Sequence, residues 1–76
     1  MTLAQLKTGQ KAFIREINTS SLIRERLNEF GLIRGVEIKV IRKGLFDNPI
    51  EINFRNFNLA IRQEVASKII VEKDYV

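Results

Sequence analysis

The chain of 76 residues contains no cysteine, no histidine and no tryptophan, and it has one proline. Without cysteine it can form no disulfide and offers no thiolate to a metal, which is typical of proteins in a reducing compartment. Without histidine it has no imidazole base and no imidazole ligand. These absences exclude thiol catalysis, imidazole catalysis and thiolate metal centres.

Long apolar runs are missing as well. The longest are a few residues, such as Ile69-Ile70-Val71, whereas a membrane-spanning helix needs about 20 apolar residues. No basic-then-apolar segment opens the sequence, so we expect no secretory signal. We therefore expect any role at a membrane to pass through a partner protein.

The remaining polar side chains show no catalytic arrangement. Ser20-Ser21 has no neighbouring base, so we interpret this pair as a helix cap. The sequence has no glycine-rich phosphate loop, because Gly31 and Gly35 follow a predicted helix instead of opening one. The carboxylates lack metal-ligand spacing and are interpreted as solvated surface: Asp47, Glu51, Glu64, Glu72 and Asp74. We predict no enzyme activity, no metal site and no cofactor.

The charge balance raises the question of nucleic acid. Thirteen Lys and Arg against nine Asp and Glu give a net charge of +4. The basic residues are scattered and often neighbour an acid, as in Arg24-Glu25-Arg26, which is typical of a solvated surface. Phe54 and Phe57 flank Arg55 like a stacking platform. However, Phe54 continues the inward alternation of Ile50–Arg55, so we predict that it lies in the core, which argues against nucleic-acid binding.

Residues 22–30 predict a helix with one apolar face, because their apolar side chains recur at helical spacing: Leu22, Ile23, Leu27 and Phe30. We expect Ile23, Leu27 and Phe30 to anchor this helix. Its polar face then lies open to solvent.

A corner with two glycines follows this helix. Gly31 stands where a helix end needs a left-handed residue, which only glycine adopts without steric cost. Leu32 and Ile33 can fold back as the apolar contact of such a helix end, and Gly35 permits a second sharp turn. Alternating apolar residues then predict a strand, with Val36, Ile38 and Val40 on one face.

The other segments predict further short strands separated by turns. The expected strands are Ala12–Ile17, Gly35–Lys43, Ile50–Arg55, Asn58–Ile61 and Ile69–Glu72, with a helical turn in Gln63–Lys68. We predict a mainly β fold: a small, closed SH3-like β-barrel of about five strands. One short α-helix lies between the first and second strands, and a short helical turn precedes the last. We expect residues 1–76 to form a single domain.

The corner resembles the core signature of the FeoA family, small cytoplasmic partners of the bacterial ferrous iron permease FeoB. That signature is an arginine-rich helix ending in leucine, a Gly-hydrophobic-x-x-Gly corner and an alternating strand, here Arg24–Ile38. Further similarity covers Leu3–Gln10, Pro49–Ile52 and Leu59–Glu64. The resemblance implies these fold-defining residues: Leu27, Gly31, Leu32, Gly35 and Pro49.

The same resemblance implies a function. It indicates a cytoplasmic, non-enzymatic accessory protein of ferrous iron uptake that binds the cytoplasmic GTPase region of a FeoB-type ferrous iron permease. We expect the contact on the helix and corner, through Arg24, Arg26, Glu29, Leu32 and Ile33. Leu45-Phe46 is apolar in a loop, and we expect it to plug the end of the barrel more than to form a contact site.

Two other functions remain open from the sequence. One is a nucleic-acid-binding small barrel. The other is a metal-regulator accessory domain related to the C-terminal domain of DtxR-type repressors, although we find no helix-turn-helix in this chain. The sequence also leaves weak self-association open.

Overall fold

Alternating apolar and polar side chains form five strands in the computed structural model, which describes residues 1–73. The strands are β1 (Lys11–Ile17), β2 (Glu37–Lys43), β3 (Ile50–Phe54), β4 (Phe57–Ile61) and β5 (Ile69–Glu72). Helix α1 is Ser21–Glu29 and helix α2 is Gln63–Ala66, and short 3-10 turns lie at Leu3–Gln5 and Leu45–Asp47. Asp74, one of the carboxylates considered above, lies outside the described residues.

The strands form one antiparallel sheet in the order β4-β3-β2-β1-β5. This confirms the mainly β fold with α1 between β1 and β2 and α2 before β5. The expected closure is not formed, because within residues 1–73 no pairing joins β4 to β5. The outer edge of β5 instead meets the start of the chain: Thr2 bridges to Ile70, and the Val71 N–H donates to the Met1 carbonyl at 2.9 Å.

Two register shifts bend the sheet. One falls between Ile14 and Glu16 of β1, and the other between Val40 and Arg42 of β2. Such an extra residue kinks a strand and increases its twist. The shift in β2 also explains why Arg42 is exposed although strict alternation after Val40 would turn it inward.

The core lies between the curved sheet and the helices. It receives side chains from all five strands, the N-terminal segment, both helices and the corner. Phe54 is almost fully buried, which confirms its predicted place in the core. The largest fully buried side chains besides Phe54 are aliphatic: Leu3, Leu6, Ile14, Leu32, Ile38, Ile50, Ile52 and Ile69.

Helix α1 buries fewer residues than its apolar pattern predicts. Leu27 is 7% exposed, but Ile23 is 39% and Phe30 is 48% exposed. Ile23 faces a depression beside Val65 of α2, and Phe30 lies against Phe57 of β4. Leu27 thus anchors the helix as expected, whereas Ile23 and Phe30 contact the rest of the fold as partly exposed side chains.

Both ends of α1 carry the predicted capping interactions. At its start, the Ile23 N–H donates to the Ser20 hydroxyl at 3.4 Å. At its end, Gly31 has φ = 96°, and the N–H groups of Gly31 and Leu32 donate to the carbonyls of Asn28 and Leu27 at 2.9 and 3.0 Å. This bonding pair is the Schellman motif, in which a left-handed residue satisfies the last helical carbonyls. Gly35 repeats the left-handed conformation, with φ = 91°.

Candidate functional site

An open groove of about 230 Å³ lies between α1 and β1. Its lining comes from three parts of the chain: β1, α1 and the corner after α1. The lining residues are Ile14, Arg15, Glu16, Ile17, Arg24, Asn28, Ile33 and Arg34. We call this the arginine groove, because three arginines line it together with three isoleucines.

The arginine groove has a positive balance of charge. The Arg15 Nε lies 3.1 Å from the Glu72 carboxylate, so this cation is partly neutralised. Arg24 and Arg34 have no ion-pair partner among residues 1–73. The carboxylate in the lining is that of Glu16. Unpaired guanidinium groups bind carboxylates and phosphates through two parallel hydrogen bonds, so the groove suits an anionic group on a partner.

The structure brings together only some of the predicted contact residues. Arg24 and Ile33 both line the groove, and Ile33 is exposed. Arg26 and Glu29 are exposed on other sides of α1 and lie outside the groove. Leu32 is fully buried, because it packs inward at the Schellman motif. The expectation that Leu32 contacts a partner is therefore corrected: it supports the corner from within.

Of the charged groove residues, the sequence reasoning missed Arg15, Glu16 and Arg34. Arg34 lies inside the two-glycine corner, where a contact was expected, so its position in the sequence could have indicated that it belongs to the groove. Arg15 belongs to β1 and is brought to α1 only by the tertiary fold, which no local pattern indicates.

The loop between β2 and β3 ends in an exposed apolar tip. Leu45 is 79% and Phe46 is 87% exposed. The expectation that this pair plugs the barrel is therefore wrong. Phe46 and Asp47 adopt left-handed backbone conformations, with φ of 57° and 59°. The turn closes with the Asp47 N–H donating to the Gly44 carbonyl at 2.9 Å, and this conformation turns the tip away from the core.

A second basic depression, of about 240 Å³, lies near the opposite end of β1. Lys11 and Lys39 are directly opposite across β1 and β2, and Arg55 joins them with Glu37 in the lining. The aromatic platform for stacking bases is not formed, because Phe54 is buried and the Phe57 ring stacks on Phe30. The hypothesis of nucleic-acid binding is thus supported by a basic patch but not by an aromatic stacking surface.

Residues 1–73 contain neither a cluster of metal-ligand side chains nor a membrane-spanning helix. That part of the chain contains no group of three or more His, Cys, Asp or Glu side chains placed to hold a metal ion. Every helix there is too short or too polar to cross a bilayer.

The fold defines a small SH3-like β domain. The chain superposes on Stenotrophomonas maltophilia FeoA complexed with zinc, a protein described as a prokaryotic SH3 domain protein, with a TM-score of 0.79 and 25% identity. That match covers 95% of this chain and 89% of the other. The FeoA domain model matches residues 1–73, and the chain belongs to the FeoA family.

Individual relatives agree with this assignment. FeoA from Chlorobium tepidum matches with a TM-score of 0.92 and 34% identity, over 96% of this chain and 70% of that one. A putative Fe(2+) transport protein A from Campylobacter jejuni is 34% identical over 71 residues, which are 93% of this chain and 96% of the relative. An Fe(2+) transport protein A/transporter FeoB fusion protein from Porphyromonas gingivalis is 32% identical over 72 residues. Those residues are 95% of this chain but 8% of the fusion protein. The family is thus one of Fe(2+) transport.

Proposed function

We propose that this chain is a non-enzymatic accessory protein of ferrous iron uptake, that it acts in the cytoplasm as one domain of residues 1–76, and that it binds the cytoplasmic, GTPase-containing part of a FeoB-type permease. The observation that carries this proposal is the fusion of a related domain to the transporter FeoB in one chain. Fusion holds two modules at a high effective concentration. A separate chain reaches the same association by binding its partner.

The contact surface in this proposal is the exposed side of α1 together with the arginine groove. Arg24 and Ile33 supply an unpaired cation and an exposed apolar side chain within one groove. Interfaces gain orientation and on-rate from complementary charge, and arginine is enriched at their centres. Arg26 and Glu29, exposed on other sides of α1, are proposed as further contacts outside the groove. Binding there modulates the GTPase-gated transport of the permease.

The proposal is tested by ferrous iron uptake in a strain that lacks this gene and is complemented with variants. Arg24→Glu, combined with Arg26→Glu, reverses two exposed charges of α1 and should lower uptake while circular dichroism shows an intact fold. Lys7→Glu is the matched control, because Lys7 is exposed and lines none of the grooves described. If deletion leaves uptake unchanged and the wild-type chain captures no permease fragment, the proposal fails.

A further inference from the structure

Among residues 1–73, no strand pairs with the outer edge of β4. Strand β4 stands last in the strand order, and its hairpin with β3 closes on Phe54 and Phe57 across Arg55-Asn56. Along an antiparallel ladder, hydrogen-bonded residue pairs alternate with non-hydrogen-bonded pairs. The closing pair Phe54–Phe57 is hydrogen-bonded, so the pairs that contain Asn58 and Ala60 are not. Asn58 and Ala60 therefore direct their backbone N–H and C=O groups away from β3. Both residues are exposed.

Within Phe57–Ile61 this edge lacks the features that usually protect an edge strand, and no segment of residues 1–73 pairs with it. Natural edges carry charges, proline or a bulge, or are covered by another segment. The residues of β4, Phe57–Ile61, include no charge and no proline, and their register with β3 is regular throughout. The opposite edge of the sheet, by contrast, is bridged by Thr2.

One side of the β4 edge is also apolar. Phe57 and Leu59 share a face of the strand; Phe57 is 40% exposed and Leu59 is half-buried. Phe30, the C-cap residue after α1, continues this face, since its ring stacks on Phe57. A strand added at the edge would thus gain backbone hydrogen bonds and an apolar contact together.

We propose that the β4 edge receives an extended strand of the permease's cytoplasmic part, in a β-augmentation mode that rests on the proposed function. The backbone of Asn58 and Ala60 bonds to the incoming strand, and Phe57 and Leu59 contact its apolar side chains. In such complexes the main chain supplies affinity and alternate side chains supply specificity. The incoming strand carries acidic residues near its ends.

The charges around β4 favour this occupant over a second copy of the chain. Arg55 and Arg62 bracket the strand, and neither has an ion-pair partner within residues 1–73. Suppose that the β4 strands of two copies pair antiparallel, with the twofold axis at Asn58, Leu59 or Ala60. In none of these three registers does an acidic residue lie opposite Arg55 or Arg62. Arg55 would face Ile61, Gln63 or Val65, and Arg62 would face Phe54, Asn56 or Asn58. Each copy also carries a net charge of +4, so self-pairing is opposed by repulsion.

Residue-resolved amide hydrogen exchange tests the inference. The ¹⁵N-labelled chain is measured alone and with the purified cytoplasmic fragment of the FeoB-type permease from the same organism. Protection should rise by about tenfold or more at Asn58 and Ala60, because free edge amides become hydrogen-bonded. Leu59 serves as the internal reference, since its amide already bonds to β3 in the free chain.

A matched pair of variants gives a second readout. Ala60→Pro removes the outward N–H at a position where an edge strand tolerates proline, and it should weaken the complex by up to about tenfold, the loss of one hydrogen bond. Ala60→Val keeps the N–H and should bind within about twofold of the wild-type chain. Thermal melts verify the fold of both variants, and if Ala60→Pro does not fold, the exchange measurement decides.

Three results would overturn the inference. A complex that forms without new protection at Asn58 and Ala60 excludes the β4 edge while leaving the proposed function intact. Protection that appears in the free chain as its concentration rises assigns the edge to a second copy. Absence of any complex removes both this inference and the proposed function.

Discussion

The Phe30 ring stacks on the Phe57 ring, with centroids 5.5 Å apart and an interplanar angle of 21°. Phe57 in turn meets the edge of the buried Phe54 ring, at 5.6 Å and 67°. The end of α1 is thereby connected to the β3–β4 hairpin and through it to the core. Leu27 is the buried side chain of α1. The contacts among these three rings therefore add to the attachment of the helix to the rest of the fold.

Phe30→Ala should lower the free energy of unfolding by about 1–2 kcal/mol, less than the 3–5 kcal/mol of a fully buried phenylalanine, because half of the ring is solvated. A double-mutant cycle with Phe57→Ala should give a coupling of about 0.5–1.5 kcal/mol. Urea denaturation measures both quantities. Leu22→Ala, at an exposed site of the same helix, should change stability by less than about 0.5 kcal/mol. A coupling of zero would show that the ring stack is not a stabilising contact.

Gly31→Val should destabilise the fold by about 1–2 kcal/mol or more, because a β-branched residue is strained in the left-handed conformation. The cost is conformational and not steric: an added Cβ would meet Phe54 Cε2 at an ordinary 3.9 Å. Gly31→Asn is the control, since asparagine tolerates this conformation and should cost less. Thermal melts compare the two variants. Equal melting temperatures for Gly31→Val and the wild-type chain would contradict the Schellman end of α1.

Leu27→Gln should unseat α1 and cost about 2–4 kcal/mol, because a buried leucine is replaced by an amide without a hydrogen-bond partner. Ile23→Gln, four residues earlier on the helix, should cost about 1 kcal/mol or less since Ile23 is partly exposed. Circular dichroism with denaturant measures both. Similar losses at the two positions would mean that the burial of α1 is shared more evenly than the structure shows.

Phe46→Gly should stabilise the fold by about 1 kcal/mol. A bulky residue is strained at a left-handed φ, and the exposed Phe46 ring has little packing to lose. Leu45→Gly, at the adjacent position without a positive φ, should instead destabilise by about 0.5–1 kcal/mol. Differential scanning calorimetry distinguishes the two signs. A Phe46→Gly variant less stable than the wild-type chain would contradict the left-handed tip.

Local patterns in the sequence were sufficient to predict the elements. Gly31 and the alternation after Gly35 determine where α1 ends and β2 begins, because few residues accept a left-handed helix end and period two requires a strand. The expected strands Ile50–Arg55 and Asn58–Ile61 left room for only a short turn between them, and Arg55 and Asn56 adopt the positive φ of a two-residue hairpin turn. These features depend on neighbours along the chain.

Features that depend on tertiary packing were not predictable in the same way. The apolar character of Phe30 and Leu32 is similar, yet Leu32 is buried and Phe30 is half exposed, because their burial depends on which elements lie opposite. The approach of Arg15 to Arg24 requires the path of β1 past α1. The open β4 edge likewise depends on how far the sheet curls, and bulges such as that between Ile14 and Glu16 have no signature in this sequence.

Titration of the purified chain into the purified cytoplasmic part of a FeoB-type permease tests the central claim most directly. Isothermal titration calorimetry should show saturable binding that weakens with salt, because cations of the arginine groove take part. Arg24→Glu should weaken the affinity by about tenfold, which corresponds to 1.4 kcal/mol, while Lys7→Glu should leave it unchanged. No heat of binding, or equal affinities for these two variants, would contradict the account.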